Sequence, residues 1–129
     1  MLNAALPFAQ QMLEKRGEFF PYAVKLGIDG ETAMVAGDPG TGERPESTDV
    51  LAVLYDGLRA QRDSVRATAV VAVVRISSPA SDAIRVEIEH REGAVLVTLL
   101  PYSKKRFGRG VTYGDLQASA GHANVWQQP

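Results

Sequence analysis

Apolar and polar residues alternate across Asp82 to Arg91, strictly so from Ile84 to Glu89, and from Ala94 to Leu100 the chain is almost wholly apolar. A period of two is that of a β-strand with one dry face and one wet face. Arg91-Glu92-Gly93 separates the runs and supplies a glycine where a tight turn needs one. Asp82 to Tyr102 is therefore expected to form an antiparallel β-hairpin, around which the rest of the chain must be arranged.

The hairpin is uneven. Its first strand places Ile84, Val86, Ile88 and His90 on one face and Arg85, Glu87, Glu89 and Arg91 on the other. Its second strand, Val95-Leu96-Val97-Thr98-Leu99-Leu100, is apolar at both parities, as are Val70, Val71, Val73 and Val74 in the preceding run, Arg66 to Ser77. Two-faced apolar strands in an antiparallel sheet need cover on both sides.

Helical spacing of Leu6, Ala9, Met12 and Leu13 predicts a first helix ending at Gly17, with Pro7 in its first turn. Asp29-Gly30, between Pro21–Ile28 and Glu31–Ala36, predicts a second hairpin with both central residues at positive φ. Gly37 to Pro45 reads as a loop. Ser47, Thr48 and Asp49 offer N-caps for a second helix that buries Val50, Leu51, Leu54 and Leu58. Beyond Tyr102 come a basic segment, a short strand Val111–Tyr113, and a loosely structured polar tail, residues 114–129, that carries Trp126.

The order α-β-β-α-β-β-β predicts one α+β domain over residues 1–129. The economical arrangement is an antiparallel sheet of about five strands with both helices on one face. This order resembles that of the roadblock and related profilin-like domains, which implies a small dimeric regulatory module. Phe20-Pro21-Tyr22-Ala23, Ala83-Ile84-Arg85-Val86-Glu87-Ile88-Glu89-His90 and Leu100-Pro101-Tyr102 also resemble segments of small bacterial proteins of unassigned function. That resemblance implies a bacterial origin and carries no activity with it.

Composition narrows the function classes. The 14 basic and 15 acidic side chains leave a net charge of -1, so no general attraction to nucleic acid or an anionic membrane is expected. Absence of cysteine excludes disulfides, thiol catalysis and Cys-ligated zinc. No apolar run approaches the roughly 18 residues of a membrane span, and the amino terminus lacks signal-peptide character. A cytoplasmic protein without a cofactor or a membrane partner is the expectation.

Three groups of residues are candidates for function. Glu87 and Glu89 stand at i, i+2, a spacing that serves acid–base chemistry if burial separates their pKa values. The flanking Arg85 and Arg91 instead predict a solvated charged face. His90, with Glu87, Glu89 and Tyr102, makes a candidate polar site, but the only other histidine is His122, and no spacing suits a metal. Lys104, Lys105, Arg106 and Arg109, around Phe107, are the candidate anion-binding segment, or else a solvated loop. Neither Gly108–Gly114 nor Gly37–Gly42 completes a nucleotide-binding fingerprint.

A further candidate group follows from the uneven hairpin. With both helices on one face, Leu96, Thr98 and Leu100 need a cover supplied by the tail around Trp126, by a partner protein or second copy, or by a small molecule. The leading expectation is a non-enzymatic interaction or regulatory module, homodimeric through the second face of its sheet. The alternative is a small-molecule or anion-binding protein, or a minor enzyme, using residues 104–109 and His90.

Overall fold

A computed structural model describes residues 1–37, 39–40, 42, 45–77, 80–104 and 110–126. The fold is α+β. In chain order the elements are α1 (Leu2–Arg16), β1 (Tyr22–Gly27), β2 (Thr32–Ala36), α2 (Ser47–Ala60), β3 (Val65–Ser77), β4 (Ala80–His90), β5 (Val95–Lys104), β6 (Val111–Tyr113) and β7 (Gln117–Ala120). Among the described residues all strand pairings are antiparallel, in one 7-stranded sheet of order β2-β1-β3-β4-β5-β6. β7 shares the outer edge of β5 with β6.

The expected hairpin is present, with Asp82 opposite Tyr102 and Glu89 opposite Val95. The sheet is wider than expected because the tail joins it: Gln117 to Ala120 pair with Leu99 to Leu96. Gln-Ala-Ser-Ala has little strand propensity of its own, and the unpaired edge of β5 recruits it.

The two helices lie on opposite faces of the sheet, not on one. α1 buries Ala5, Ala9 and Leu13 against Tyr22, Val24, Ala69, Val71 and Val86. α2 buries Val50, Leu54 and Leu58 against Ala23 and Val70. Tyr22 and Ala23, like Val70 and Val71, are neighbours in a strand and point to opposite sides. Chain connectivity explains the split. β2 and β3 each run antiparallel to β1, which lies between them, so they run parallel to each other. Parallel strands need a crossover over one face, and α2 is that crossover.

The β1–β2 and β4–β5 hairpins use the same three-residue turn. Gly27 donates its N–H to Glu31 O and Gly30 to Gly27 O; His90 donates to Ala94 O and Gly93 to His90 O. Only the third residue of each turn has positive φ, Gly30 at 88° and Gly93 at 106°. Asp29 is therefore not the left-handed residue expected; its carboxylate instead accepts the Glu31 N–H. Likewise α2 starts after Glu46 without a side-chain cap, and Ser47 is already helical. No helix among the described residues is long and apolar enough to cross a membrane.

Candidate interaction site

α1 ends at Gly17, whose φ of 75° lets its N–H return to Leu13 O. The chain then reverses through Glu18-Phe19-Phe20-Pro21 into β1. Phe19 turns inward and meets the Tyr22 ring edge-on at 5.8 Å, while Phe8 of α1 meets it at 4.9 Å. Phe20 turns outward and is 45% exposed; Met34 of β2 is 54% exposed. Between them opens a cavity of about 500 Å³ lined by α1, residues 19–22, the end of β2 and the segment before α2.

Its described lining is uncharged, and Tyr22 is the one titratable group. The Tyr22 hydroxyl donates to Ala5 O, and burial pushes its pKa up to about 12. The groove thus offers dispersion and hydrophobic contact, and no acid or base for chemistry near neutral pH.

The groove adjoins the edge of the sheet. β2 pairs with β1 on one side, and no described strand pairs with the other. The Gly27–Glu31 bond sets the phase of the ladder, so Ala33 and Val35 bond to β1. Thr32, Met34 and Ala36 therefore turn their backbone N–H and C=O groups outward. Sheet edges are usually protected by charge, proline or a bulge. Thr-Ala-Met-Val-Ala has no charge and no proline, and its pairing with β1 is regular.

The opposite face of the sheet holds the larger polar cluster, and here a sequence expectation is corrected. Glu87 and Glu89 are 3% and 1% exposed, not solvated. Glu89 accepts the backbone N–H groups of Asn124 at 2.7 Å, Val125 at 3.0 Å and Trp126 at 2.9 Å. Glu87 accepts Tyr55 OH at 2.9 Å, Asn124 Nδ2 at 3.0 Å and Arg85 Nη2 at 3.0 Å. From α2, Arg59 Nε donates to Asn124 O at 2.7 Å; Arg62, just beyond it, donates to Val125 O at 3.2 Å. The Trp126 indole N–H returns to Arg62 O at 3.3 Å.

Residues 124–126 thus lie between α2 and β4 as a strap held by side chains. Carboxylates accepting several N–H donors are stable when buried, which is why these two tolerate the α2 face. The Tyr55 hydroxyl is held well above the usual tyrosine range by burial and then by the Glu87 charge. The cluster is saturated with internal partners and serves architecture. In sequence its one visible sign is Val125-Trp126, an apolar pair in an otherwise polar tail.

The remaining candidates do not converge. His90 and Tyr102 share the parity of the α1 face, across the sheet from Glu87 and Glu89. His90 Nδ1 accepts the Glu92 N–H, and Tyr102 is buried opposite Tyr113. The polar site therefore does not assemble. Thr98 and Leu100 are buried on the α1 side, Leu96 remains exposed, and Trp126 is on the other side. These four do not form one interaction face. Lys104 Nζ donates to Gly17 O at 3.2 Å; Lys105, Arg106 and Arg109 lie outside the described residues. No cluster of three potential metal ligands occurs among the described residues.

Sequence reasoning missed the groove because Phe20 and Met34 stand in apolar runs, Phe19-Phe20 and Ala33 to Ala36, that do not show which members face outward. The chain matches no family model, no curated protein and no solved structure.

Proposed function

We propose that this protein is a non-enzymatic interaction module that engages another polypeptide through the groove and the adjoining edge of β2. The observation that carries this reading is the juxtaposition of two features. A concave apolar surface with half-exposed Phe20 and Met34 runs beside an uncharged strand edge. A partner in extended conformation satisfies both at once: its backbone bonds to Thr32, Met34 and Ala36, and its alternate side chains enter the groove. This surface is preferred to the sheet-face dimer expected from sequence, because α1 packs on one face of the sheet and α2 and the strap pack on the other.

The test is an amide-resolved NMR titration of the full chain with extended peptides carrying Phe, Met or Leu at alternate positions. Shifts concentrated at Thr32, Met34, Ala36 and Phe20 are the expected result. A panel that moves none of these amides, at millimolar peptide, overturns the reading. A second reading has support from the groove's volume, which falls within the range of small-ligand sites. In that case apolar small molecules, and not peptides, shift the groove residues and raise the melting temperature.

A further inference from the structure

We infer that the polypeptide on this edge is a second copy of the same chain, its β2 antiparallel to the first about a two-fold axis through Met34. The inference rests on the proposed interaction site and names its occupant.

The outward-facing residues of β2 are Thr32, Met34 and Ala36, and they are symmetric about Met34. A two-fold axis at that residue sets Met34 opposite Met34 of the second copy, and Thr32 opposite its Ala36. All three are then hydrogen-bonding positions on both strands, so the ladder closes with about six backbone bonds and no slip. Isologous contacts of this kind require a self-complementary patch.

Charge fits the same axis. Glu31 is the only charged residue from Glu31 to Gly37. In this register it faces Gly37 of the second copy, so no like charges meet across the pair. Met34, exposed in the single chain, then stands beside the second copy's Met34 at the mouth of both grooves. The other described edge strands, β6 and β7 beside β5, are poorer candidates, β6 because it has only three residues. Gly121 N–H bonds to Val95 O, so only Ala118 and Ala120 of β7 face outward.

Because the chain has no cysteine, single-cysteine variants report the register directly. Facing residues of a hydrogen-bonded pair have Cα atoms about 5.5 Å apart, within disulfide reach. Met34→Cys is expected to form a disulfide dimer on the order of tenfold or more faster than Ala33→Cys, whose own counterpart is offset by two positions. Thr32→Cys mixed with Ala36→Cys is expected to give the mixed dimer, while neither variant couples efficiently to itself. Sedimentation of the unmodified chain should show dimer growing with concentration. Circular dichroism establishes that each exposed-site variant is folded.

Equal slow coupling of Met34→Cys and Ala33→Cys, with a monomer at every concentration, overturns the second-copy inference. So does a dimer whose efficient cross-link lies elsewhere, for example at Leu96→Cys. If peptides still shift Thr32, Met34 and Ala36 in such a monomer, the interaction site stands and only its occupant is wrong. If neither peptides nor cysteines report on β2, both readings fail.

Discussion

Both carboxylate oxygens of Glu89 lie 3.0 Å from the backbone nitrogen of Val125, a residue with no exposed surface. A strand residue in mid-sheet thereby fixes a segment 36 positions further along the chain. Glu89→Gln keeps the shape but puts an amide donor against backbone N–H groups. A loss of about 2–4 kcal/mol is expected, since bonds to a charged acceptor are the strong ones and leave their donors unpaired when removed. Urea unfolding measures it. Trp126 is the sole tryptophan, so its emission should shift to the red and its quenching by acrylamide should rise in the same variant.

Alkaline pH tests the buried tyrosines. The Tyr22 hydroxyl is raised from 10.0 to about 12 by burial. Between those values the unfolded chain has released the proton and the folded chain still holds it. Tyr22's contribution is therefore complete below the unfolded pKa and is lost as pH rises through the interval, by about 2–3 kcal/mol. Tyr55 acts in the same direction. Denaturant midpoints followed upward from pH 9 should fall steeply, and Tyr22→Phe should flatten the fall.

Two glycines should respond oppositely to the same substitution, although an added Cβ meets nothing at either. Gly93 has φ of 106°, so Gly93→Ala is strained by about 1 kcal/mol or more. Gly57 sits inside α2, where alanine removes backbone entropy from the unfolded chain. Gly57→Ala should stabilise by roughly 0.5–1 kcal/mol. Thermal melts of the two variants, read against the parent, give the signs.

The two sides of the leucine inventory should also separate. Leu54 of α2 is 1% exposed and Leu96 of β5 is 43% exposed. Leu54→Ala should cost about 2–5 kcal/mol through lost burial and a residual cavity. Leu96→Ala should stay within about 1 kcal/mol in stability. A large loss at Leu96 would mean that it is covered.

Much of this fold is legible in the sequence, and what is not has a common cause. Alternation over Asp82–Arg91 specifies β4, and the spacing of Val50, Leu54 and Leu58 specifies the buried stripe of α2. Val70 beside Val71 reveals that both faces are covered, but parity does not say which helix takes which face. That follows from β1 lying between β2 and β3, a non-local pairing. Glu87 and Glu89 read as wet because their flanking residues are arginines. Their actual donors include residues 35 to 37 positions away, beyond any local pattern. The groove is assembled from α1, β2 and the loop at Phe20, so no single stretch displays it.

The strap also settles how cations and anions share one layer of the core. The peptide group joining Asn124 to Val125 accepts from Arg59 at its oxygen and donates to Glu89 at its nitrogen. The next one does the same between Arg62 and Glu89. Each amide dipole lies with its positive end toward the carboxylate and its negative end toward a guanidinium, which is the favourable sense at both ends. Two peptide planes thus work as polar spacers between the guanidiniums and Glu89, beside the direct bond from Tyr55 of α2 to Glu87 of β4. The backbone here is a polar bridge between two layers as well as a connector along the chain.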